Sequence, residues 1–377
     1  MSNSSIEFVG GLFPANQLAP RSAYNRKLDL TYLRDLARAH EHAGFDRVLI
    51  ANGGGDPLFL AAYAAAHTEK LGFMLAHRPG LTAPTIAARA FATLDHTTGG
   101  RIRLHAITGH AAEPQHGEGV INKEERYARA DEYLEIVKRT WTSETPFDFH
   151  GKYFQIEGGF SPIKPLQQPY VPISLGGSSD AAYHVAVRHT DLYALWAEPY
   201  NDIAERIAKL RAVAAEHGVA APRVSLSVRL IIGKTEAQAW EKAYDIAETL
   251  RKNTNPNPAA AALGQSGGAQ RQLAIAERGE RHDKALFFGT STAIGGGTDS
   301  TSLVGTPETI IESLLNYYDL GVTTFLSRGY EPLFDAIDYG RWIIGTLREE
   351  VRLREQAQAQ KAKKVEFSAQ EKAHALS

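Results

Sequence analysis

The chain has 377 residues, 43% of them apolar, and a net charge of −2. That supplies one large core and excludes the basic footprint of a nucleic-acid or anionic-membrane binder. Without a single cysteine, it also excludes disulfides, thiolate metal sites and a cysteine nucleophile.

No apolar run reaches the roughly 18 residues that a membrane span needs. Met1-Ser2-Asn3-Ser4-Ser5 lacks the basic and apolar stretches of a secretory leader, so a cytoplasmic protein is expected. Residues 6–13 read as a buried strand. Residues 30–43 carry Leu30, Leu33, Leu36, Ala37 and Ala43 at helical spacing and stop at Gly44. A strand at 47–51 and an alanine-rich helix at 57–67 follow, then a strand at 71–76 and a helix at 84–97. Pro57 and Pro84 open those helices, as proline does in a first turn. Residues 102–108 are the fourth strand, and 123–141 a long amphipathic helix.

Residues 150–157 break the rhythm with a short alternating run, read as an exposed hairpin arm. Strands at 171–175, 191–196 and 224–232 then alternate with helices at 179–189, 202–217 and 236–251. From 252 to about 301 the pattern dissolves into Asn/Pro-rich and Gly/Ser-rich stretches around a helix at 270–280. Long insertions of this kind are usually functional loops or disorder. This one is read as a mobile lid between strands seven and eight. A helix at 307–320, the eighth strand at 322–326 and a last helix at 333–354 complete the series. Residues 356–377 form a polar tail, read as a helix extension or a frayed end.

Polar or glycine-rich groups follow successive strands. They include Asn52-Gly53-Gly54-Gly55, His77-Arg78-Pro79, Thr108-Gly109-His110, Gly176-Gly177-Ser178-Ser179-Asp180, Trp196-Ala197-Glu198-Pro199 and Arg328-Gly329-Tyr330. Eight βα units with chemistry at the strand C-termini predict one (β/α)₈ TIM barrel over residues 1–355, with its site on that face. A doubly wound open sheet is the alternative, and the count of eight favours closure.

Gly176-Gly177-Ser178-Ser179-Asp180 is the phosphate-site candidate. Small residues let backbone N–H groups approach an anion at a helix N-terminus, and the two serines add hydroxyls. An ordinary N-cap reads equally well there. The stretch lacks the Gly-Lys-Ser/Thr of a P-loop. Thr108 and His110 bring a hydroxyl and an imidazole to the fourth strand's mouth, where a plain turn is the alternative. Arg229 lies in the apolar run Val228-Arg229-Leu230. Since arginine is rarely buried unpaired, it either meets a carboxylate or faces a polar cavity, where it would hold an anion. Trp196 is a pocket wall or a core aromatic. His40, His42, His184 and His189 read as surface helix positions. The histidine spacings carry no metal signature, no G-x-S-x-G elbow occurs, and no carboxylate pair suggests a glycosidase.

The stretches 80–89, 92–95 and 99–101, with Thr108-Gly109, Glu125-Arg126-Tyr127, Gly176-Gly177-Ser178-Ser179-Asp180, Leu195-Trp196, Val228-Arg229-Leu230 and Gly329-Tyr330, together resemble the bacterial-luciferase-like flavin monooxygenases. The nearest branch is the alkanesulfonate monooxygenases. This resemblance implies a (β/α)₈ barrel that takes reduced FMN from a separate NAD(P)H-dependent flavin reductase and uses molecular oxygen. It also implies a homodimer or homotetramer. By position it gives Ser178, Ser179, Gly177 and Tyr127 to the FMN phosphate and Thr108 to the flavin ring. Trp196, Arg229 and Tyr330 match catalytic positions of the sulfonate branch, and His110 is a further proton-handling candidate. Related enzymes with this fold use coenzyme F420. The chain departs from the sulfonate pattern at Ile231, Ile294, Pro332 and the 52–55 loop, whereas His77 and Arg328 add polar groups for substrate. The flavin half is kept and the substrate half rebuilt.

These readings predict a two-component reduced-FMN monooxygenase acting on a small organic substrate. An organosulfonate, cleaved at C–S with release of sulfite, is favoured. Sulfones, alkanes and amines are alternatives within the superfamily. A non-oxidative barrel enzyme with a phosphorylated substrate, or a barrel that binds flavin without turnover, are alternatives outside that chemistry.

Overall fold

The computed structural model describes residues 6–13, 28–51, 55–108, 122–253, 266–296 and 301–375. His110, residues 52–54 of the 52–55 loop, and residues 254–265 and 297–300 of the expected lid lie outside these residues.

The first half runs β1 (Glu7–Leu12), α1 (Leu30–His42), β2 (Arg47–Ile50), α2 (Pro57–Ala65), β3 (Gly72–His77), α3 (Pro84–Thr98), β4 (Ile102–Ala106) and α4 (Lys123–Thr142). The hairpin arm read from the sequence is present as β5 (Phe147–His150) and β6 (Gln155–Gly159), a two-stranded sheet of its own that starts three residues earlier than expected. Next come β7 (Ile173–Gly176), α5 (Asp180–His189), β8 (Leu192–Trp196), α6 (Tyr200–Glu216), β9 (Arg223–Ile232) and α7 (Glu236–Asn253). The insertion holds α8 (Gly267–Glu277), β10 (Arg281–His282), β11 (Leu286–Phe287), α9 (Gly289–Thr292) and β12 (Ser302–Gly305). It is followed by α10 (Pro307–Leu320), β13 (Val322–Arg328), α11 (Pro332–Tyr339), a π-helical turn at Gly340–Ile344 and α12 (Gly345–Ala375).

Eight strands pair in parallel in the order β1-β2-β3-β4-β7-β8-β9-β13, and β13 returns to β1. The barrel is closed, as expected. Local sequence explains the helix ends. Asp29 and Asp56 cap α1 and α2 by accepting from Tyr32 and Leu58 N–H. Gly99 and Gly321 end α3 and α10 at φ of +67° and +112°, backbone that side-chain-bearing residues rarely adopt.

Alternation along the strands separates two environments. Phe8 and Phe325 face outward into the helix layer and belong to the main core. Inward residues fill the barrel in layers. Glu7 binds Arg47, Arg103 and Thr324 at the N-terminal end, at 2.7, 2.9 and 3.3 Å. Val9, Leu49, Met74, Leu192 and Leu326 form an apolar plug above them. His105 and Ser174 join at 2.9 Å beyond the plug.

Several expectations need correction. His40 is buried, its Nδ1 2.8 Å from the Leu36 carbonyl, and His189 is buried with Nε2 2.9 Å from Asp131. Neither is a surface position: each is buried in the helix layer with one ring nitrogen in a hydrogen bond. The last helix is present but carries a π-helical turn. A π-turn starts at Gly340, where a methyl group would stand 2.6 Å from the Ala43 Cα. Residues 356–375 continue α12, which is the helix-extension reading of the tail. The insertion contributes β12, which pairs in parallel with the far end of β9.

Candidate active site

The β7–α5 loop carries Gly176, Gly177 and Ser178 into Ser179, the N-cap of α5. Ser179 accepts from the Ala182 N–H, so the capping reading is realised. Tyr127 reaches the same loop from the first turns of α4. It is 1% exposed, and a methyl group at Gly177 would come within 2.6 Å of its hydroxyl. Only glycine allows that approach. The Gly177 carbonyl is pinned by the Tyr193 hydroxyl at 2.8 Å and by Arg206 Nη2 at 2.5 Å. Burial pushes the Tyr127 phenol up to about 12, with the neighbouring Ser179 hydroxyl pulling the other way. Although it stands beside Ser179, the Tyr127 hydroxyl meets no described residue in hydrogen-bonding geometry.

Thr108 shows the same feature. It is 5% exposed, its carbonyl accepts from Arg126 Nε at 3.2 Å, and its hydroxyl has no partner among the described residues. Buried hydroxyls are nearly always bonded, so Thr108 after β4 and Tyr127 on α4, without partners among the described residues, are groups that a bound molecule beside the β7–α5 loop would complete.

The second cluster lies across β9, β12 and β13. Arg229 looks mid-strand in sequence, yet in register it pairs with Arg328, the last residue of β13, and with Ser302, the first of β12. It therefore stands at the mouth, because β9 runs on past the barrel rim. Arg229 donates through Nη1 to the Gly329 carbonyl at 3.0 Å, and its guanidinium lies over Tyr330 at 4.6 Å. It meets no carboxylate among the described residues, so the polar-mouth reading describes it. The Tyr330 hydroxyl is 3.3 Å from Ser302, which is 3.0 Å from Thr290. The Arg328 guanidinium lies 5.6 Å over Phe13.

Trp196 ends β8 on the inward side, level with Ser227. Helix α8 passes over it, so that a methyl group at Gly268 would be 2.9 Å from the indole. Trp196 is thus a wall between the barrel and the insertion.

His77 does not join these groups. Its ring points into the helix layer against Phe91, with Nε2 2.6 Å from the Tyr133 hydroxyl. Burial lowers its pKa to about 4 despite the charge of Asp56. The substrate role expected for it finds no support in that position. The register explains why: His77 pairs with Ala106, one residue out of phase with the inward-facing Ala76 and His105.

Sequence reasoning passed over two parts of the site. Glu198 belongs to the Trp196-Ala197-Glu198-Pro199 motif but received no role. It is 2% exposed and binds Arg206 at 2.9 Å and Arg271 of α8 at 2.8 Å. A buried acidic residue beside Trp-Ala could have suggested an internal ion pair. Helix α8 starts at Gly267, capped by Ser266, three residues before the expected start. The capping serine was the available signal.

Solved structures with this fold include the long-chain alkane monooxygenase, at 20% identity and TM-score 0.73 over 93% of this chain and 92% of that one. The EDTA monooxygenase from Chelativorans sp. BNC1 is similar at 20% identity and TM-score 0.72, over 92% and 94%. A riboflavin lyase, solved with modified FMN and riboflavin, is similar at 21% identity and TM-score 0.71, over 92% of each chain. At these identities the likeness shows the fold. The family model for luciferase-like monooxygenases matches residues 9–324, and the chain belongs to that family.

Proposed function

We propose that this protein is a reduced-FMN-dependent monooxygenase, supplied by a separate NAD(P)H-dependent flavin reductase, that oxidises a small anionic organic substrate with O2. The observation that carries the proposal is the pair of buried hydroxyls of Thr108 and Tyr127, which meet no partner in hydrogen-bonding geometry among the described residues and stand on the side of the β7–α5 loop. Such a set fits a flavin with a phosphate tail. Ser178, Ser179 and Tyr127 would hold the phosphate, with the Gly177 backbone allowing close approach. Thr108 would meet the ring. The bound flavin supplies the oxidising chemistry with oxygen.

The rest falls to the chain's own side chains. Arg229, set on the Tyr330 face and tied to the Gly329 carbonyl, offers a fixed cation at the mouth. A fixed cation there favours a sulfonate over an alkane or an amine, and Arg328 is its register partner at the mouth. Tyr330, hydrogen-bonded to Ser302, holds a proton beside Arg229. Trp196 and α8 cover the mouth and exclude water. A homodimer or homotetramer and a cytoplasmic location belong to the same proposal.

The test is sulfite release from a panel of alkyl and sugar sulfonates with FMN, NADH, O2 and a generic flavin reductase. Sulfite that requires both FMN and O2 supports the full reading. Flavin bound without sulfite limits it to other substrates of the flavin chemistry, beginning with sulfones. Binding of F420 in place of FMN, or of phosphorylated metabolites without flavin, would overturn it.

A further inference from the structure

Helix α8 ends its path across the mouth at the phosphate loop. A methyl group at Gly267 would stand 3.0 Å from both Lys123 Nζ and Ser178 Oγ, and the Ser266 hydroxyl caps the helix by accepting from Ala269 N–H at 3.1 Å. The Gly267 and Gly268 amides precede the first intrahelical hydrogen bond and so lack helical acceptors. The N-terminus of α8 therefore meets the loop that leads into α5, and Lys123, the first residue of α4, brings its ammonium to the same place. The independent sign of a ligand is Tyr127, 1% exposed, whose hydroxyl stands beside Ser179 but meets no partner in hydrogen-bonding geometry among the described residues. The nearby acidic side chains are already engaged. Asp180 pairs with Lys209, and Glu125 with Lys152.

Helix α8 is anchored in this place. Arg271 binds Glu198 and Asp202, and Arg278 binds Asp202. The second Glu198 oxygen holds Arg206, which donates to the Gly177 carbonyl. A continuous polar chain thus links α8 to the backbone of the phosphate loop. Burial alone would lower the Arg206 pKa, but Glu198 and the phenols of Tyr183 and Tyr193 outweigh it, and the guanidinium stays charged.

We infer that Lys123 and the α8 N-terminus at Ser266–Gly268 are part of the binding site for the flavin's phosphate monoester. The insertion is then a wall of the cofactor site as well as a cover for the mouth. The phosphate, by drawing on Lys123 and two sets of helix amides, selects FMN over riboflavin and holds α8 in place. This inference rests on the FMN reading above.

The experiment is fluorescence titration of the full chain with FMN and with riboflavin, for wild type, Lys123→Ala and Gly267→Val. Amide hydrogen exchange of residues 266–277 is followed with and without FMN. Lys123 is only partly buried at the start of α4, so its replacement leaves the fold intact if Gly267→Val does not. Wild type is expected to prefer FMN at least tenfold. Each variant should lose at least tenfold in FMN affinity and less than twofold in riboflavin affinity, and FMN should slow exchange at 266–270 in wild type only. If both variants keep FMN affinity within twofold, the inference fails and the FMN reading stands. If wild type itself binds no FMN, the reading and the inference fall together.

Discussion

Arg229 lies over the ring of Tyr330 with its guanidinium carbon 4.6 Å from the ring centroid, and it donates to the carbonyl of Gly329 between Arg328 and Tyr330. The aromatic face and the carbonyl fix the cation without neutralising it, which leaves its charge available to an anion. Replacing Arg229 with Gln is predicted to lower kcat/KM by about 10²–10³-fold, the usual cost of removing one preorganised donor. FMN affinity should stay within twofold, because the phosphate loop is a separate cluster. Steady-state kinetics beside flavin titration separate the two effects.

Thr108 and Tyr127 give a prediction with opposite signs for stability and binding. Each buries a hydroxyl with no partner among the described residues. Thr108→Val and Tyr127→Phe should therefore stabilise the flavin-free protein, by about 1 kcal/mol each. Both should weaken FMN binding. Thermal unfolding without flavin, set against FMN affinity, checks the pair. A loss of stability in the flavin-free protein would mean that the hydroxyls serve the fold.

The barrel's N-terminal end sets the acid limit of stability. Burial raises the Glu7 pKa, but Arg103 and Arg47 outweigh it and hold the carboxyl at about 2, below its usual 4.5. Glu7 thus contributes stability that is complete above pH 4.5 and lost as pH falls toward 2, on the order of 3 kcal/mol. Burial lowers the imidazoles of His40, His77 and His105 to about 4 from 6.5. Their contribution is complete above pH 6.5 and lost as pH falls through 4. Unfolding followed from pH 7 to pH 2 should show a decline that starts near 6.5, and Glu7→Gln should flatten the part below 4.5.

His77 separates a packing role from a binding role. Its bond to Tyr133 and its contact with Phe91 predict that His77→Ala costs about 2–4 kcal/mol of stability. The change should appear in Tm. A raised KM with an unchanged Tm would instead return His77 to the substrate site.

Much of the fold was legible in the sequence because strand and helix periods alternate eight times with capping signals between them. Pro57, Pro84, Gly99 and Gly321 stand where those elements start or stop. Register was not legible. Whether His77 faces the barrel or the helices depends on a single-residue phase, and Arg229 reaches the mouth only because β9 outruns its neighbours. Ser178 and Ser179 were readable as either cap or anion site. The structure makes Ser179 a cap and sets Tyr127 beside it. The role of α8 was hidden because its partners, Glu198 and Asp202, and its neighbour Lys123 are distant in sequence.

The central claim is that the mouth binds reduced FMN. Anaerobic titration of the wild-type chain with photoreduced FMN tests it most directly. The account predicts saturable binding of one flavin per chain, weakened at least tenfold by Tyr127→Phe. Absence of saturable binding, or equal binding by the variant, would contradict it.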